Sequence, residues 1–128
     1  MGRVMAVDFG EKRTGIAISD RKKRIAFPKE IVETSIAIRR IKEIVKKEDV
    51  EEIVVGYPLN LQGKRTGSTK RAEMFYERLK ELVRVPVVLM DERLTSKFAE
   101  KFRIKKKRPT DDVAASILLS DYLRRRYS

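Results

Sequence analysis

Residues 4–18 constrain the fold of this chain more than any other stretch. Val4-Met5-Ala6-Val7 is a short apolar run that stops at Asp8. Gly10 and Gly15 frame the basic pair Lys12-Arg13, and a second apolar run, Ile16 to Ile18, follows. Two such runs joined by a glycine-bearing turn read as a strand, a tight turn and a returning strand. A carboxylate at the end of a buried strand suits a metal ion or a phosphate ester, with Gly10 allowing close backbone approach and cations in the turn. The same residues also suit a plain turn, since Asp and Gly are ordinary turn formers. The later acidic segments decide between the two readings.

Asp20 is followed by Arg21-Lys22-Lys23-Arg24, charged and without apolar period. This reads as a hairpin tip leading to a third strand near 25–34, and the tip serves either as a solvated turn or as a phosphate contact. Ser35 can cap a helix to about Glu48, in which Ile38, Ile41, Ile44 and Val45 recur at helical spacing and belong to the core. Glu52-Ile53-Val54-Val55-Gly56 is a compact run of the kind buried on both faces of a parallel sheet. The loop after it, residues 57–68, holds Asn60, Gln62, Gly63, Lys64 and Arg65, where open α/β sheets place their ligands. A helix from Ser68 or Thr69 to Leu82 buries Ala72, Phe75, Tyr76, Leu79 and Leu82, with Met74 also assigned to the core. Pro86 to Met90 repeats the opening theme, a buried strand ending in carboxylates, Asp91 and Glu92. A helix from Thr95 or Ser96 to about Phe102 and the basic run Lys105-Lys106-Lys107-Arg108-Pro109 follow. Thr110 can cap a last helix. Asp111 and Asp112 at its start favour its positive end, and Arg124-Arg125-Arg126 favour the other.

Three strands joined by short turns form an antiparallel meander, whereas later strands separated by helices run parallel to their neighbours. The expectation is an α/β domain over residues 1–128, with a five-stranded mixed sheet flanked by helices. With the fourth strand beside the first, Asp8 and Asp91-Glu92 share the carboxyl edge, and the last helix brings its acidic start over that edge. Unpaired carboxylates repel one another, and a bound cation relieves that repulsion.

Composition narrows the chemistry. The 128 residues suffice for one domain and carry a formal net charge of +12, which implies a polyanionic partner, nucleic acid first. Cys and His are absent, which removes thiolate nucleophiles, imidazole bases and the usual zinc ligands. Asp and Glu remain as candidate catalysts, and a carboxylate-only set suits Mg2+ or Mn2+. No run is long enough to span a membrane, and a cytoplasmic protein is expected.

Asp8-Phe9-Gly10 with Lys12-Arg13 and Gly15, Val55-Gly56-Tyr57-Pro58-Leu59-Asn60 with Gly63, Asp91-Glu92-Arg93-Leu94-Thr95, and Asp111 before Ala114-Ala115 and Leu118 occur in this order. Together they resemble the successive signatures of the YqgF family, also called RuvX, over nearly the whole chain. The Asp8-Phe9-Gly10 element alone is also shared with actin-like and heat-shock ATPases, but the chain is short for their paired domains. Two departures stand out: Tyr57, where the family more often has a smaller or aliphatic residue or phenylalanine, and a short connection around Ile104.

The resemblance implies a ribonuclease H-like fold and a nuclease. It also implies one of two roles, maturation of the 5′ end of pre-16S ribosomal RNA or Holliday-junction resolution. Carried over by motif, Asp8, Glu92 and Asp111 are the catalytic and metal-binding carboxylates, with Asp91 as the alternative to Glu92. Lys12, Arg13, Asn60, Lys64, Arg65 and Arg93 are the expected substrate contacts, and Arg93 has a structural ion pair with Asp91 or Glu92 as its other reading. The implied partner is a structured RNA precursor or branched DNA, met by a monomer or a homodimer. A binding module without catalysis is the rival from another class.

Overall fold

The computed structural model describes residues 2–57, 66–91 and 110–127. Strands β1 (Arg3–Asp8), β2 (Arg13–Ser19) and β3 (Ala26–Glu33) come first, then a 3-10 turn at Thr34–Ile36 and helix α1 (Ala37–Lys47). Strand β4 (Val50–Tyr57), helix α2 (Gly67–Leu82), strand β5 (Val87–Asp91) and the closing helix α3 (Asp111–Tyr127) complete the described elements. The strands form one sheet in the order β3-β2-β1-β4-β5. β1 is antiparallel to β2 and parallel to β4, and β4 is parallel to β5. The expected meander and parallel extension are both present, with the fourth strand beside the first.

The two-residue repeat of a strand divides the core into two layers. Met5 and Val7 of β1 join Ile53 and Val55 of β4 against α1 and α2, where Ile41, Ile44, Phe75 and Leu79 pack. Val4 and Ala6 join Val54 and Met90 on the opposite face, covered by Ala115, Leu118, Leu119 and Leu123 of α3. A central strand buried on both faces needs an unbroken apolar run, which explains why β1 and β4 show no polar alternation.

Four local expectations are corrected. Ser35 does not cap α1: it lies inside the 3-10 turn, and the helix starts after Ile36 without a side-chain cap. Its start is set instead by the turn running directly out of β3. Met74 is not core but 65% exposed, because the buried stripe of α2 runs through Thr69, Ala72, Phe75 and Leu79 and position 74 falls off it. Leu82 is also exposed, at the last turn of the same helix. α2 begins one residue earlier than the expected Ser68 or Thr69, capped by Thr66. The Thr66 hydroxyl accepts from the Thr69 amide while Thr69 Oγ1 accepts from the Thr66 amide. The helix expected near residues 95–102 and the basic run 105–109 lie outside the described residues.

The hairpin tip after β2 is structured by Asp20, whose Oδ1 accepts from the Arg24 and Ile25 amides at 2.8 and 2.9 Å. Lys23 adopts φ 58° and pairs with Glu51, while Arg21 pairs with Asp49. These pairs tie the tip to the start of β4, at the end of the sheet away from Asp8.

Candidate active site

Asp8 is the last residue of β1, and its even position places it on the α3 face with Val4 and Ala6. Its partners across the sheet are Gly15 on β2 and Gly56 on β4. Directly paired residues point to the same face, so neither neighbouring strand sets a side chain beside the Asp8 carboxylate. The row Gly15-Asp8-Gly56 is a gap in the packed surface with one acidic group in it.

Helix α3 comes down onto that gap. A Cβ built on Gly15 would lie 1.9 Å from the backbone oxygen of Asp111 and 2.8 Å from the Asp112 nitrogen. No side chain can occupy that space, so glycine alone allows the first turn of α3 to rest on β2 beside Asp8. Two carboxylate-bearing segments more than a hundred residues apart thereby share one corner of the sheet. The two acidic residues at the start of α3 then divide their work. Asp112 Oδ1 accepts from the Thr110 hydroxyl at 2.6 Å and from the Val113 amide at 3.0 Å, ordering the helix start. The Ala114 amide donates to the Thr110 carbonyl at 2.8 Å. Asp111 instead has its Oδ2 3.8 Å from Arg13 Nε, with 41% of its side chain exposed.

The turn between β1 and β2 is held from the other side. Thr34 donates its hydroxyl to the Gly10 carbonyl at 2.6 Å and its amide to the Lys12 carbonyl at 2.9 Å. Its hydroxyl also meets that of buried Thr14 at 2.8 Å. A Cβ on Gly10 would lie 2.3 Å from the Arg13 carbonyl oxygen, so the turn closes this tightly only with glycine. Phe9 stacks on Phe75 of α2 with ring centroids 5.0 Å apart, and Glu11 pairs with Arg71. Lys12 and Arg13 are thus exposed cations on an ordered turn.

Of the nine expected site residues, the structure brings Asp8, Asp111 and Arg13 together and sets Lys12 on the adjoining turn. Glu92, Asn60, Lys64, Arg65 and Arg93 lie outside the described residues. Among the described residues no three acidic side chains gather closely enough to hold a metal ion; Asp8 and Asp111 are two of the three expected. The pleat of β5 separates Asp91 from them. Val87 and Leu89 pack on the α1–α2 side and Val88 and Met90 on the α3 side, so Asp91 falls on the face opposite Asp8. Thr34 and the packing role of Gly15 were missed as site-building residues. For Gly15 the signal was present, because a lone glycine inside a strand marks close backbone approach.

The donor chemistry fits a hard divalent cation: the converging groups are carboxylates, and the chain holds no Cys or His to favour a softer metal. Acidic residues at the carboxyl edge of this strand order define the class, a ribonuclease H-like α/β domain. The fold is also that of RuvC. A T. thermophilus RuvC solved in complex with a Holliday junction substrate superposes with TM-score 0.60 at 16% identity, over 98% of this chain and 96% of that one. A second Thermus thermophilus RuvC structure gives TM-score 0.56.

The family model described as "RuvX: Holliday junction resolvase" matches residues 2–125. A protein of Caldanaerobacter subterraneus subsp. tengcongensis named "Putative pre-16S rRNA nuclease" is 41% identical, over 94% of this chain and 95% of its own. Proteins of the same name from Roseiflexus sp. (strain RS-1) and Chloroflexus aurantiacus are 36% and 38% identical over 95% and 98% of this chain, and over 94% and 88% of their own. The chain belongs to the RuvX family, and is accordingly a nuclease, a hydrolase of phosphodiester bonds. Nucleases of this fold generally use divalent metals. No described helix is long and apolar enough to cross a membrane.

Proposed function

We propose that this nuclease processes the 5′ end of pre-16S ribosomal RNA in the cytoplasm, with Asp8, Glu92 and Asp111 as its catalytic carboxylates. The observation that carries the site is the contact of Gly15 with the backbone of Asp111, which sets the start of α3 beside Asp8. Relatives named for pre-16S rRNA, matched over nearly their full length, support the substrate. Glu92 is preferred over Asp91 because the pleat of β5 turns Asp91 away from the Asp8 face.

Asp8, flanked by glycines, and Asp111, on the exposed rim, are the groups that would hold Mg2+ or Mn2+. Such a cation, when bound, supplies activation of the attacking water and neutralises charge on the leaving 3′ oxygen. Arg13 lies close enough to Asp111 to restrain its carboxylate, and with Lys12 it presents positive charge to the phosphates beside the scissile bond. The turn that carries both cations is fastened by Thr34, so they act from a preset position. Arg93, Asn60, Lys64 and Arg65 extend these contacts along the strand, positioning without specifying sequence.

Holliday-junction resolution is the second reading, favoured by the description of the matching family and by the shared fold with RuvC. Two symmetric cuts in a junction call for a homodimer, whereas RNA maturation is open to a monomer. Side-by-side cleavage of an end-labelled pre-16S leader and a four-way junction with Mg2+ or Mn2+ decides between them, with Asp8→Asn as control. Cleavage of the RNA alone is the expected result, and paired nicks in the junction alone would replace it with the resolvase. Binding of both without cleavage would leave a binding module.

A further inference from the structure

A groove runs between α1 and α2 on the face of the sheet away from α3, and its upper end adjoins the β1–β2 turn that follows Asp8. Its upper part, about 610 Å³, opens at Thr34 and Ser35 and passes over Ile38 and Phe75. Its lower part, about 680 Å³, continues past Val45 and Val83 to Arg84. Lys42 and Leu82 line both parts, so the two form one channel along the length of α1, roughly 16 Å at 1.5 Å per residue. The upper mouth adjoins the Asp8 turn through two residues already described: Thr34, which fastens that turn, and Phe75, which stacks on Phe9.

The charge of this channel is one-sided. Arg39, Lys42 and Arg78 line the upper part, and Lys42, Lys46 and Arg84 the lower. The carboxylate among the lining residues, Glu43, lies 3.8 Å from Arg40, which pairs mainly with Glu30. Two other arginines of these helices are paired, Arg71 with Glu11 and Arg40 with Glu30. Among the described residues none of the five groove cations makes an ion pair. Five cations with no ion pair among the described residues, set over an apolar floor, match a single nucleic-acid strand, with phosphates at the rim and base faces toward the floor.

We propose that the α1–α2 groove is a binding track for the single strand flanking the cleavage point, entered over the β1–β2 turn and held by Arg39, Lys42 and Arg78. The inference rests on the nuclease reading for its direction from the site, but binding tests it without cleavage. The probe is a fluorescein-labelled 20-nucleotide RNA read by anisotropy in EDTA across a salt series, with the full chain. The charge-reversed variant Arg39→Glu, Lys42→Glu, Arg78→Glu changes exposed side chains only, and circular dichroism verifies its fold. The control Lys22→Glu, Arg24→Glu, Lys47→Glu changes the net charge equally at exposed positions outside the groove.

The expected result is affinity at least about tenfold weaker for the groove variant. Its slope of log K against log salt should be shallower by about 2, at roughly 0.7 per single-strand phosphate. The control should keep its slope. Equal losses in both variants would reduce the effect to overall charge and overturn the proposal, as would unchanged affinity in the groove variant. Sedimentation run alongside covers the other occupant: loss of self-association with RNA affinity intact would assign the groove to a second copy instead. Failure of the nuclease reading would appear separately, as absence of metal-dependent cleavage by a wild-type chain that binds RNA normally.

Discussion

Asp8 and Gly15 face each other across β1 and β2, and each makes a distinct prediction. Asp8→Asn removes a charge but little volume, so metal-dependent cleavage should fall to background while the unfolding midpoint and RNA affinity in EDTA stay near wild type. Cleavage retained by this variant would exclude Asp8 from the reaction. Gly15→Ala adds a methyl group where the Asp111 backbone already stands 1.9 Å away. The start of α3 must then shift, with a loss of about 1–3 kcal/mol, the usual range for overpacking. Urea denaturation would measure the stability and a cleavage assay the activity, and both should drop. Asp111→Asn should separate the two effects. It leaves the backbone contact intact and costs within about 1 kcal/mol, the scale of a helix-terminal charge, while still losing cleavage.

At the scale of elements, α3 is the part that ties the site to the rest of the sheet, because it is anchored at both ends. Its first turn lies on Gly15, and its last turns reach Glu52, a buried carboxylate near the start of β4. Glu52 accepts hydrogen bonds from the Tyr122 and Tyr127 hydroxyls, and Arg126 Nε stands 3.4 Å from it. Burial, reinforced by the Glu52 carboxylate, raises the Tyr122 pKa well above its ordinary 10.0, and Tyr127 shifts the same way. A group whose folded pKa is raised adds stability below its unfolded value and loses it as pH rises toward the folded one. Stability should therefore decline as pH rises above about 10, and Tyr122→Phe should flatten that decline while costing about 1 kcal/mol at neutral pH. Denaturant melts at pH 7 and at several alkaline values would measure both. The opposite sign applies between β3 and α1, where Arg40 donates to both oxygens of Glu30 at 2.7 and 2.8 Å and lowers its pKa. That contribution is present above the ordinary Glu value of 4.5 and fades as pH falls through the lowered one. Glu30→Gln should consequently destabilise at pH 7 and approach wild type in acid.

For the whole molecule, a formal charge of +12 makes any polyanion attractive, so affinity alone says little about the true substrate. Binding of unrelated RNA should weaken steeply with salt, and excess EDTA should abolish cleavage while leaving binding at a given ionic strength unchanged. Preserved cleavage in EDTA would remove the metal from the mechanism. The layers also put the candidate site and the basic groove on opposite faces of the sheet. The α3 face carries Asp8 and Asp111, the α1–α2 face carries the basic groove, and the β1–β2 turn fastened by Thr34 joins them.

The strand order was legible in the chain because buried parallel strands need unbroken apolar runs, which 4–7, 53–55 and 87–90 supply, and short turns leave the first three strands no other pairing. Carboxylates at the ends of such runs, as at Asp8 and Asp91, stood out in the chain because folding does not require them there. Met74 and Ser35 were misread for a common reason: helical periodicity states that a stripe exists, whereas its rotation and its first residue depend on how β3 and the sheet present themselves. The division of labour between Asp111 and Asp112 was beyond local reading too, since either can favour a helix start. The sequence by itself determined the elements, their order and the chemistry available to the site, all of which follow from local spacing and residue type. Only the tertiary structure decided that Gly15 yields its space to α3, that Asp91 turns away from Asp8, and that Glu52 is buried beneath two tyrosines. Each of these depends on distant segments meeting at van der Waals distance.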